Sequence, residues 1–231
     1  MILEVKHLNY FYKDGDNKRY IFDDCNVKFE SGKFYSLLGD SGCGKTTFLS
    51  IIGGQDKNYG GEVLCDGKEI KKIGLDKYRR TMVSTVYQNY NLIQNLNSVD
   101  NVMIAADISE NVENINKDLI IKSLEQVGIN KNKAFRKTSS LSGGEQQRVA
   151  VVRAIHTLSP IIVADEPTGN LDYNNSEEII MLFKQLAHCD NRCIIMVTHN
   201  EKLAKQTDII YRINEISKKI YKEVSEIYLC E

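Results

Sequence analysis

The chain has 231 residues, 42% hydrophobic and 26% charged, which is enough apolar material for a sizeable core. A net charge of −1 argues against a nucleic-acid binder, which carries a basic excess or stripe. No stretch approaches about 18 consecutive apolar residues, and Met1-Ile2-Leu3-Glu4-Val5-Lys6 is not a secretory start, so no direct membrane insertion is expected.

Apolar, β-branched runs between turn residues predict strands at residues 3–8, 26–29 and 34–38. The third has the near-continuous apolar character of a strand buried on both faces. It runs into Gly39-Asp40-Ser41-Gly42-Cys43-Gly44-Lys45-Thr46, and a helix-compatible run follows at 47–52. Strand, Gly-x-x-x-x-Gly-Lys-Thr and helix in that order make a phosphate-binding loop. The glycines let the backbone curl so that its N–H groups face an anion, and the helix N-terminus adds partial positive charge. Lys45 supplies a point charge for the β- and γ-phosphates, and Thr46 offers a hydroxyl to Mg²⁺. ATP and Mg²⁺ are the expected ligands.

Further strands are predicted at 62–65 and 83–87, the latter followed by Gln88. Residues 97–157 carry helical patterns and no convincing strand. They read as a helical subdomain inserted in one domain, between core segments 1–96 and 158–231. Within it, Asn116 caps a helix bearing Ile120, Leu124 and Val127, and Gly128 ends it. Next comes Leu141-Ser142-Gly143-Gly144-Glu145-Gln146-Gln147-Arg148, leading into a helical run at 149–157. The strand at 161–164 ends in two acids. Asp165, at a buried strand's carboxyl end, faces the crevice where ligands bind and can hold Mg²⁺ through its waters. Glu166, one step on, points elsewhere and can serve as general base to an attacking water. Ser176 is the expected cap of the next helix, with Glu177 and Glu178 near its positive end and a stripe of Ile179, Leu182, Phe183 and Leu186. Strands at 193–198 and 209–213 complete an α/β alternation that predicts a mostly parallel sheet covered by helices. The scattered cysteines (Cys25, Cys43, Cys65, Cys189, Cys193, Cys230) lack zinc or Cys-x-x-Cys spacing and read as reduced thiols of a cytosolic protein.

The phosphate loop, the Leu141–Glu145 motif and the acidic strand end, in this order, closely resemble the ATP-binding cassette (ABC) ATPases over almost the whole chain. The resemblance implies a P-loop NTPase fold of the ABC ATPase type: a mostly parallel core sheet, an N-terminal antiparallel β-subdomain and the helical insert. It implies an ATPase that splits ATP to ADP and phosphate. Ser142, with the amides of Gly143 and Gly144 and with Glu145, becomes a second anion site at a helix N-terminus. In the family two copies sandwich two ATPs head to tail, so a homodimer on ATP binding is expected.

Other roles follow from the same resemblance. Tyr12 matches the aromatic that stacks on adenine, with Tyr10 and Phe11 as competitors. Asp40, Ser41, Gly42, Cys43 and Thr47 join Gly39, Gly44, Lys45 and Thr46 around ATP. Gln88 matches the glutamine that touches Mg²⁺ and the attacking water. Asn170-Leu171-Asp172 matches a loop crossing the dimer interface. His199 matches the histidine that donates a hydrogen bond to the γ-phosphate. His7, His156 and His188 read as structural.

The sequences at 53–56, 88–93, 141–148 and 164–172 resemble the macrolide-exporter and lipoprotein-release branch, which includes antimicrobial-peptide exporters and a cell-division relative. The implied role is the energising subunit of a transporter, peripheral on the cytoplasmic face of the cell membrane. It would power export or resistance-type handling of a peptide, lipid-linked or hydrophobic substrate through a separate ABC permease membrane subunit. A mechanotransmission ATPase that moves no solute shares every catalytic residue. A DNA-repair or translation ABC protein would bring a coiled coil or a second cassette, and neither is present. Two positions depart from the family: Asp40 replaces a usual Pro, and Cys43 a usual Ser. Cys43, at a helix N-terminus, is expected to be a reactive thiol. Residues 214–231 receive no functional reading.

Overall fold

In the computed structural model, which describes residues 1–14, 17–111, 114, 116–169, 171–214 and 217–223, the strands sort into two sheets. The first is antiparallel, in the order β2 (Asn17–Glu30), β1 (Ile2–Asp14), β4 (Gly60–Cys65), β5 (Lys68–Glu69). The second is ordered β10 (Lys219–Lys222), β9 (Ile209–Asn214), β3 (Lys33–Leu38), β8 (Cys193–Thr198), β7 (Ile161–Asp165), β6 (Val83–Val86). It is parallel from β9 to β6, with β10 antiparallel at its edge. The expected fold class is therefore present.

The apolar strands are buried on both faces because each face meets its own core. Tyr35, Val163, Ile195 and Val197 join a cluster with Phe29 and Phe48, on the side of the antiparallel sheet and α1 (Lys45–Ile52). The alternate residues Phe34, Ile162, Ala164, Ile194 and Met196 join a second cluster with Phe183 and Val149, on the helical side. A period of two with both phases apolar is what a doubly covered parallel strand requires.

Between β4 and β6 lie α2 (Ile70–Ile73) and α3 (Leu75–Thr81), which the sequence reading left unassigned. Between β6 and β7 the named elements are α4 (Ser98–Ile108), α5 (Lys117–Gln126), α6 (Lys131–Ala134), a 3₁₀ turn at Thr138–Ser140 and α7 (Gly143–His156). Asn116 caps α5 as expected, accepting from the N–H groups of Asp118 and Leu119. Gly128, at φ +76°, ends it: its N–H reaches Glu125 O, and that of Ile129 reaches Leu124 O.

The expected cap at Ser176 is corrected. α8 spans Tyr173–His188 and is capped by Asp172, whose side chain accepts from Asn175 N–H. Ser176 lies inside the helix, its hydroxyl donating back to Asp172 O at 2.8 Å. The short α9 (Glu201–Ala204) precedes β9. Residues 219–222, within the stretch without a functional reading, form β10, with Ile220 buried and Cys25 Sγ donating to Lys218 O. Among the described residues no helix is long and apolar enough to cross a membrane.

Candidate functional site

β3 ends at Leu38 and α1 begins at Lys45, so residues 39–44 turn from a buried strand into a helix N-terminus. Gly44 adopts φ +106°, and a β-carbon there would collide with Ile21, so only glycine fits. The buried Lys45 ammonium donates to the carbonyls of Gly39 (2.8 Å) and Asp40 (2.7 Å), which holds its charge inside the curl. The next side chain, Thr46, donates its hydroxyl to the Asp165 carboxylate at the end of β7. Burial pushes the Asp165 carboxyl above its ordinary value; Glu166 adds to the rise, while Thr46 and Lys45 oppose it.

Glu166 takes a left-handed backbone conformation, φ +45°, with its N–H donated to Val197 O at 3.1 Å. Non-glycine residues rarely adopt this conformation. Its carboxylate lies 3.0 Å from Nδ1 of His199, the residue after β8. A carboxylate against an exposed imidazole is a pair able to accept a proton from water and to present an N–H to an anion.

A cavity of about 560 Å³ collects these groups. Ser41, Gly42, Gly44, Lys45, Thr46 and Thr47 form its floor, and Gln88, Glu166 and His199 line it opposite. Tyr12 and Ile21 complete the wall. Of the three aromatic candidates, Tyr12 lines the cavity and is 49% exposed. Tyr10 is buried, and Phe11 pairs with Tyr20, ring centroids 5.6 Å apart. Thr46 and Asp165, with Gln88 lining the same cavity, are hard oxygen donors that suit Mg²⁺.

Other predicted residues stand apart. Gly39 and Asp40 touch the site through their carbonyls, while the Asp40 side chain is exposed. Cys43 is 5% exposed, its sulfur packed where a Gly39 β-carbon would lie. That burial corrects the expectation of a reactive thiol, since attack needs access as well as a lowered pKa.

Ser142, Gly143, Gly144 and Glu145 do not line the cavity. They form the start of α7, where Ser142 and Glu145 make a capping box. The Glu145 carboxylate accepts from Ser142 N–H (2.9 Å) and from the Lys133 ammonium (2.6 Å). Lys133 above all holds that carboxyl below its usual value. Glu145 thus fixes the helix start, with Ser142 and Gly143 exposed beside it.

α7 is fastened to the two loops that carry Gln88 and Glu166. The guanidinium of Arg153 donates to Asn91 O and to Tyr90 O (2.8 Å), both residues in left-handed conformation. Arg148 donates to Asn175 Oδ1 at 2.8 Å, and Asn175 donates in turn to Asp172. Leu171 and Asp172 therefore lead into the α8 cap; Asn170 lies outside the described residues. Sequence reasoning missed Ile21, a bulge residue of β2 between Tyr20 and Phe22, because nothing in an apolar strand residue marks it as a cavity wall. It also missed Arg153, which had only its place in a helical run.

The sequence model of the ABC transporter family matches residues 22–169. The ABC transporter ATP-binding protein YclH of Bacillus subtilis (strain 168) is 43% identical over 98% of this chain and 99% of its own length. The lipoprotein-releasing system ATP-binding protein LolD of Rickettsia bellii (strain RML369-C) is 35% identical, over 92% of this chain and 95% of its own. The macrolide export ATP-binding/permease protein MacB of Aggregatibacter actinomycetemcomitans is 35% identical over 93% of this chain, which spans 33% of that longer protein. Among solved structures, the ATP-binding cassette MJ0796, a dimer in a post-hydrolysis state bound to ADP and Pi, superposes with a TM-score of 0.88 at 32% identity. That match covers 96% of this chain and 97% of the other.

Proposed function

The chain belongs to the ABC transporter family, and from that premise we propose that it is the ATP-hydrolysing subunit that powers a separate membrane permease from the cytoplasmic face. The chain is an ATPase. The observation that carries the site assignment is the cavity itself: it unites the Lys45 loop with the Glu166–His199 pair. In this reading Lys45 and the loop amides bind the β- and γ-phosphates. Thr46, Asp165 and Gln88 would hold Mg²⁺, which would neutralise phosphate charge. Glu166 takes the proton of the attacking water, and His199 presents an N–H to the γ-phosphate. Tyr12 stacks on the adenine.

Ser142 and the amides of Gly143 and Gly144 serve the ATP of a second copy, in a head-to-tail homodimer that closes on ATP. Glu145 positions them. The helical segment 97–157 acts as a subdomain that turns with α7, and Arg153 passes that motion to the loop after Gln88. A cleft of about 740 Å³ beside this loop, rimmed by Ile93, Ile104 and Ile108, is where the permease docks. The similarity to LolD and MacB supports export or resistance-type handling of a peptide, lipid-linked or hydrophobic substrate. A mechanotransmission ATPase that moves no solute would use the same residues.

Replacing Glu166 with Gln tests the assignment. The variant is expected to bind ATP, lose turnover and accumulate as an ATP-bound dimer by size-exclusion chromatography. Normal hydrolysis by Glu166→Gln would remove Glu166 from the role of base.

A further inference from the structure

Tyr12 is not held by its strand alone. Its ring stands edge-on to that of Tyr10, with centroids 5.3 Å apart and planes at 81°. Tyr10 is buried, and its hydroxyl donates to Asp56 Oδ2 at 2.8 Å. Asp56 is itself fixed just beyond α1: its N–H donates to Ser50 O at 3.0 Å, and its Oδ1 accepts from Asn58 N–H at 2.8 Å. At the other end of the pair, the Tyr12 hydroxyl meets Thr47 Oγ1, in the first turn of α1, at 3.2 Å. The two tyrosines thus bridge from the beginning of α1 to the segment just past its end.

We propose that Tyr10 and Asp56 are positioning residues that brace the Tyr12 ring in the pose that receives the nucleobase. The proposal rests on the reading of Tyr12 as the base-stacking residue. Stacking on a ring already fixed in place avoids the ordering cost of a free side chain on binding. An edge-to-face neighbour fixes the tilt of Tyr12, and the Asp56 bond fixes that neighbour. Burial, reinforced by the Asp56 bond, raises the Tyr10 hydroxyl well above its ordinary pKa, so it remains a donor at neutral pH. The brace makes no contact with the phosphates, so it predicts a defect confined to the nucleoside end of the ligand.

The test measures the dissociation constants of ATP and of inorganic tripolyphosphate by calorimetry, for Tyr10→Phe and Asp56→Asn. Both substitutions keep size and shape while removing or weakening one hydrogen bond. Each is expected to weaken ATP about 3- to 10-fold and leave tripolyphosphate unchanged. Unchanged ATP affinity in both variants overturns the brace, as does equal weakening of both ligands, which would signal a damaged phosphate loop. Tyr12→Ala separates the premise from the proposal. If Tyr12→Ala binds ATP normally, the stacking reading has failed. If it binds weakly while Tyr10→Phe and Asp56→Asn bind normally, the brace alone has failed.

Discussion

Ionising Asp165 at the buried end of β7 works against the fold, because burial dominates the rise of its carboxyl pKa. For a carboxyl raised in the folded state, the stabilising contribution is complete below the unfolded value and lost as pH rises through the folded one. At neutral pH the native protein therefore carries a charge that it resists. Asp165→Asn should raise the melting temperature of the ligand-free protein at pH 7 while abolishing ATP turnover. The gain should shrink as pH falls through the folded value and vanish below the ordinary carboxylate range, where Asp165 is protonated whether folded or not. A variant that melts lower than the parent at pH 7 would show that the Thr46 bond outweighs burial. Lys45, Thr46, Asp165 and Glu166 could be placed from the sequence because each follows a buried strand at a fixed spacing, and the strand fixes where its next side chain goes. Cys43 misled: a helix N-terminus favours its thiolate, yet the loop buries the sulfur against Gly39.

At the scale of elements, apolar periodicity recovered the central strands but not the starts and edges. α8 has two good caps ahead of its stripe, Asp172 and Ser176, and sequence alone ranks them equally. Asp172 begins the helix because its carboxylate receives both the N–H and the side-chain amide of Asn175. β10 escaped notice because a short, lysine-flanked edge strand shows one buried residue, Ile220, and no alternation to read. The far end of the β1–β2 hairpin was hidden for a similar reason, since Phe11 and Tyr20 are exposed and the tip around them is polar and charged.

Histidine 156, near the end of α7, joins that helix to α5 through Ser123 Oγ, 3.0 Å from its Nε2. Burial, with Arg192 nearby, holds the imidazole below its usual value. For a depressed base, stability is complete above the unfolded value and declines as pH falls through it, because the unfolded chain takes up the proton first. Denaturant unfolding at a series of pH values from 7 to 5 should show the parent losing stability over this window. His156→Gln, which keeps a hydrogen-bonding side chain but cannot ionise, should lose less. Parallel curves for the two proteins would mean that the α5–α7 contact is insensitive to protonation.

At the scale of the whole molecule, the phosphate loop and the start of α7 belong to different surfaces, and Ser142 does not line the cavity that holds Lys45. The fold explains the separation. The loop follows a strand of the parallel sheet, whereas Ser142 heads a helix that the Lys133 ion pair ties to α6. On the proposed reading these are two anion-binding ends that serve different ATPs, and a two-fold dimer would use both. Two inactive chains can decide between this arrangement and a site complete within one chain. Lys45→Ala removes the charge of the phosphate loop, and Ser142→Arg blocks the start of α7. Each should be inactive alone, because both sites of its dimer are damaged. In a mixed dimer both lesions fall in one site, and the other combines the intact Lys45 of one chain with the intact Ser142 of its partner. Random pairing of equal amounts makes half the dimers mixed, each with one whole site, so mixing should restore about a quarter of the wild-type sites. ATP turnover of the mixture, with any permease the assay requires, measures this. If each chain held a complete site, the mixture would remain as inactive as either parent.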